Sequence, residues 1–176
     1  MIQLEFTTTD IQNSILSDQA DKFYYEILSP EWQPHVTTLK RLDSVTGKYV
    51  NVAEIENTLD RKSRPAAVKI VGEPSKLLDE FLHPVEDGRS WNIQGKDGIT
   101  YQWITNGDHL ELRKLDTPNP PLVIHHREKK FAPFFSTTGN PKLDVDPSLS
   151  DIMDFIVLSF IVVERLRRYN AGYLSF

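Results

Sequence analysis

The residues best suited to bind something are two short basic runs. Arg61-Lys62-Ser63-Arg64 sits in a turn-like stretch. The run His125–Lys130 ends in Arg127, Lys129 and Lys130, and Phe131 and Phe134-Phe135 follow it. Cations beside aromatic rings suit an anionic surface such as a lipid headgroup layer. This marks Arg61, Lys62, Arg64, Arg127, Lys129 and Lys130 as an anionic-ligand surface. The plainer reading is a solvated rim with the phenylalanines turned into the core.

Other chemistry has less support. Of the five histidines, His125 and His126 are adjacent on an expected strand and so point to opposite faces. His35, His83 and His109 have no metal-ligand spacing, so no metal or cofactor is expected. There is no Gly-x-Ser-x-Gly and no glycine-rich phosphate loop. The carboxylate pairs Asp79-Glu80 and Glu86-Asp87 are sequence neighbours that read as solvated. A hydrolase site acting on a small molecule or sugar, with carboxylates brought together by the fold, stays open as the alternative function, since such acids need no fixed spacing. Trp91, Tyr101 and Trp103 suit either a pocket wall or a core; Tyr101 and Trp103, two apart on one strand, share a face.

Composition narrows the field. The 176 residues fit one domain, with an apolar share of 39%. A net charge of −5 gives no footprint for duplex nucleic acid. The absence of cysteine excludes disulfides, thiolate nucleophiles and Cys-type metal sites. The start of the sequence has no basic and apolar signal pattern, and no Asn-x-Ser/Thr acceptor occurs, so a cytoplasmic location is expected.

The elements that must position these groups are mostly strands. Alternation predicts strands over Ile2–Phe6, Lys22–Leu28, His35–Leu42, Lys48–Ile55 and Ala66–Val71. More follow over Arg89–Gln94, Ile99–Thr105, His109–Leu115 and Leu122–Arg127. The links Gly95-Lys96-Asp97-Gly98 and Asn106-Gly107-Asp108 have tight-hairpin chemistry. Close strand spacing argues for an all-β barrel or sandwich. Ser75–Leu82 has helical spacing between prolines, and residues 7–21 read as a long polar loop.

Asp151–Arg168 sets the architecture. Ser148 or Ser150 is the expected cap; Asp151 and Asp154 lie at the start, Arg165, Arg167 and Arg168 at the end, matching a helix dipole. From Phe155 to Val163 only Ser159 is polar. A helix apolar on every side is buried on every side. The apolar run would span only about 14 Å, against about 30 Å of hydrocarbon, so no transmembrane span is expected. A buried strand is the competing local structure, because Ile and Val favour strands; the end charges and the length point to a helix. The axis of a closed sheet would bury such a helix completely.

The chain resembles a family of uncharacterised domains from mushroom-forming fungi, placed among the tubby C-terminal-like proteins. The likeness rests on Tyr24-Tyr25-Glu26-Ile27, Thr38-Leu39-Lys40-Arg41-Leu42, Ala53-Glu54-Ile55, Arg89-Ser90-Trp91 and Asp97-Gly98-Ile99-Thr100-Tyr101-Gln102-Trp103. It closes with Asp151–Val157 and Glu164-Arg165-Leu166-Arg167-Arg168. The resemblance implies one tubby-like domain over residues 1–176, an antiparallel β-barrel around a central C-terminal helix, as in LURP-one-like proteins and scramblases. It implies no activity. The expected function is a non-catalytic interaction module for an anionic membrane surface or a protein partner.

Overall fold

A computed structural model describes residues 1–58, 64–127 and 139–171. Thirteen strands form one antiparallel sheet: β1 (Ile2–Phe6), β2 (Ser14–Ser17), β3 (Tyr24–Leu28), β4 (Val36–Leu42), β5 (Tyr49–Asn57), β6 (Pro65–Ile70) and β7 (Lys76–Leu77), then β8 (His83–Pro84), β9 (Ser90–Gln94), β10 (Thr100–Asn106), β11 (His109–Lys114), β12 (Val123–His126) and β13 (Lys142–Val145). A single helical turn, α1 (Leu78–Phe81), separates β7 from β8. A 3-10 turn, Pro147–Ile152, leads into α2 (Met153–Asn170).

The strand order is 7-6-5-4-3-2-1-13-12-11-10-9-8, so every strand pairs with a sequence neighbour except where β1 meets β13. The two edge strands, β7 and β8, are themselves neighbours in the chain. Hydrogen bonding therefore does not close the sheet, unlike the closed barrel expected above. The reason is local: both edge strands have two residues, and α1 occupies the gap where a ladder would form. Gly98 and Gly107 take φ of 79° and 59°, as their hairpin turns require.

The sheet curls around α2. Every residue from Phe155 to Leu166 is buried. Phe160 packs against Phe6 of β1, Trp103 of β10 and His125 of β12, with centroid distances of 5.7, 5.9 and 4.8 Å. Phe155 meets Phe81 of α1 at 6.1 Å. Ser159, the one hydroxyl in the apolar run, accepts from Trp103 Nε1 at 3.1 Å and donates to the Ile156 carbonyl. A buried indole N–H needs a partner, and Ser159 supplies it. Among the described residues no helix is long and apolar enough to cross a membrane.

Several local expectations needed revision. Residues 7–21 hold a strand, β2, whose only apolar inward residue is Leu16. The helix expected over Ser75–Leu82 shortens to Leu78–Phe81, because Lys76-Leu77 pair with Ala67 and Val68. Neither Ser148 nor Ser150 caps α2. Asp146 instead caps the 3-10 turn, accepting from the Ser148 N–H at 2.9 Å. Trp91, Tyr101 and Trp103 all face the core.

Candidate functional site

The antiparallel path sorts the loops into two groups, one at each end of α2. At the carboxyl end lie residues 7–13, 29–35 and 85–89, the β10–β11 turn, and the described flanks of the two basic segments. Arg64 accepts from the Thr58 N–H through its carbonyl at 2.8 Å, next to the end of β5. Arg127 follows β12 and approaches Glu164 of α2, Nη2 to Oε1, at 3.6 Å. The sheet thus brings Arg64 and Arg127, far apart in sequence, to one end. Arg64 is half-buried. Arg61, Lys62, Lys129 and Lys130 lie outside the described residues, as do Phe131, Phe134 and Phe135.

Glu164 organises this end from within. Its side chain is 0% exposed. Arg167 holds it through Nε at 2.7 Å and Nη2 at 2.9 Å, and Arg168 through Nε at 2.8 Å. Arg168 also donates to the Thr9 carbonyl at 2.9 Å, tying the β1–β2 loop to the helix. Burial pushes the Glu164 carboxyl up, but the facing cations outweigh it and hold the group below its ordinary value. Both its oxygens are engaged, so it is a fixed anion and not a free base. Burial lowers the Arg167 guanidinium, which Glu164 partly restores.

His125 lies inside the sheet against Phe160, and neither ring nitrogen has a hydrogen-bond partner among the described residues. Burial lowers it to about 4, so at neutral pH it is uncharged and the arginines supply the positive charge around Glu164. His126 points outward, with Nε2 at 2.8 Å from Asp144, and its ring meets His109 edge-on. Among the described residues no group of three or more His, Cys, Asp or Glu side chains is placed to hold a metal ion.

Arg165 positions the outer surface. It donates through Nη1 to Thr37 at 3.0 Å and through Nη2 to the Asn57 side-chain oxygen. Burial lowers it to about 10, which leaves it protonated at neutral pH. Thr37 in turn bonds Ser29, and Asn57 contacts the 29–35 loop through its N–H to the His35 carbonyl at 2.7 Å. That loop carries Trp32, 85% exposed and flanked by Pro30 and Pro34. In sequence, Trp32 reads only as part of a proline-marked loop, Ser29–Pro34. An indole between two prolines in a polar stretch was the available signal, since such a ring has little core to enter. The acids Asp10, Glu31, Glu56, Asp87 and Asp108 lie on segments at the same end, so its field is mixed in sign.

The arrangement is a fixed charge network inside with loops, cations and an exposed indole outside. That geometry suits surface contact. No curated protein and no solved structure matches the chain. The chain matches DUF6593, a family of unknown function, over residues 9–169. With nearly its whole length covered, the chain belongs to the DUF6593 family of unknown function.

Proposed function

We propose that this protein is a non-catalytic interaction module that docks on an anionic lipid surface through the carboxyl end of α2. One observation carries the reading: the flanks of both basic segments, Arg64 and Arg127, emerge at the end that presents Trp32. Indoles favour the membrane interface, and each basic residue near an anionic leaflet contributes about 1 kcal/mol. The remaining members of the surface are Arg61, Lys62, Lys129 and Lys130. A cytoplasmic site of action fits, since that leaflet is the anionic one. The same reading takes the curled sheet as a tubby-like barrel; the cyclic neighbour order and the fully buried α2 support it.

Sedimentation with phosphatidylcholine vesicles, with and without phosphatidylserine, tests the proposal. The protein should pellet only with the anionic vesicles, and less as salt rises. Arg64→Glu and Trp32→Ala should each weaken binding about fivefold or more while leaving the thermal midpoint nearly unchanged. Equal recovery with neutral vesicles, or none with either, overturns the reading.

A further inference from the structure

The opposite end of α2 carries a different feature. A cavity of about 170 Å³ opens where α2 begins, walled by β4, β5, β6, the β9–β10 loop and the first turns of the helix. Val52, Val71 and Phe155 supply apolar surface; Arg41, Asn51 and Lys96 supply polar groups. Such a volume is close to one that holds a benzene-sized molecule.

Arg41 is the informative residue. It faces inward beside Tyr25, its partner across the β3–β4 pair. Its Nε lies 3.3 Å from Asp154 Oδ1 as an ion pair, but this buried nitrogen makes no hydrogen bond to any described residue. Asp154 is meanwhile held by the Tyr25 hydroxyl at 2.7 Å. A guanidinium with an unbonded N–H at the mouth of a slot of mixed polar and apolar lining matches one chemical class. That class is a small carboxylate with a flat or branched apolar body. Lys96, ion-paired with Glu73 at 2.9 Å across the gap between the sheet's edges, adds a second cation at the rim. Val50 and Val71 are 42% and 59% exposed there, extending apolar surface outward from the slot.

We infer that this cavity is a binding site for a small apolar carboxylic acid, gripped by Arg41 and seated on Val52, Val71 and Phe155. The site is independent of the opposite end, and the lipid reading can fail without touching it. A ligand of this size in a half-open slot binds with roughly millimolar affinity.

Methyl and backbone NMR with benzoate tests it. Benzoate should shift Val52, Val71 and Leu158 saturably, and benzyl alcohol should do so at least about fivefold more weakly, because it lacks the charge. Arg41→Met should erase that preference. Asp154→Asn, which removes the competing carboxylate yet still accepts from Tyr25, should tighten benzoate binding by roughly fivefold. Inorganic phosphate alone should leave the methyls unmoved. Absence of a saturable shift up to the solubility limit overturns the site. So does equal response to the alcohol, or an equal response to phosphate. Should Arg41→Met fail to fold, unchanged benzoate affinity in Asp154→Asn overturns it.

Discussion

Each end of α2 holds a carboxylate beside an arginine, yet the two pairs are different objects. Asp154 at the amino end is 41% exposed, partnered by Tyr25 and by Arg41, itself 42% exposed. Glu164 at the carboxyl end is 0% exposed and gripped by Arg167 and Arg168. In water-accessible surroundings an ion pair is worth little, whereas removing one member of a buried set strands the others. The amino end is therefore free to evolve contacts with something small. The carboxyl end is committed to holding the helix and the loops around it.

That contrast can be broken in order of effect. Phe160→Ala, at the contact of β1, β10 and β12, should cost about 4 kcal/mol in urea unfolding. Glu164→Gln should cost about 3 kcal/mol, because Arg167 and Arg168 lose their counter-charge. A cost below that of Asp154→Asn would erase the distinction between the ends.

Acid acts next. The His125 ring titrates near 4 in the fold against 6.5 in the unfolded chain. Between those values the unfolded chain takes up a proton that the fold excludes, so stability falls as pH drops from about 6.5 to about 4. The loss is on the order of 2 to 3 kcal/mol. His125→Leu should flatten that slope without lowering stability at neutral pH, since it also removes two nitrogens without a hydrogen-bond partner among the described residues. Glu164, held below its ordinary value, adds its loss at still lower pH, as its folded form protonates.

The amino end responds to alkali instead. Burial raises the Tyr25 hydroxyl, and the Asp154 carboxylate raises it further. Above pH 10 the unfolded tyrosine ionises while the folded one keeps its proton, so stability falls as pH rises. Tyr25→Phe should remove part of that fall. Tyr101, raised by burial and by its bond to Asp97 at 2.6 Å, should keep the rest. Smallest of all, Asp154→Asn should shift stability by less than about 1 kcal/mol. Thermal melts across the pH range read both limbs.

Much of this fold is legible in the residues. Strands with three alternating apolar positions, such as Ile2, Leu4 and Phe6, announce themselves, and so does an apolar run flanked by acids and arginines. β2 and β13 do not, because four residues with one or two inward apolar side chains carry no measurable period. The open gap at α1 is also invisible, since it depends on two edge strands being too short to pair. The basic residues of the proposed surface can be read one by one. That Arg64 and Arg127 reach the same end cannot, because it depends on strand direction relative to a helix far along the chain. The Arg41 slot escaped for a similar reason. Its walls come from five separate stretches of chain, and Arg41 reads locally as one more strand cation.

The position of α2 in the chain also bears on how the protein is made. A ribosome completes every strand before it completes the helix that fills the space between them. Until then the nascent sheet has no core, and its inward Leu, Ile, Phe and Trp side chains face the aqueous surroundings. Native packing must wait for α2 to be synthesised, so those apolar side chains stay exposed longer than in a fold that buries its core strand by strand.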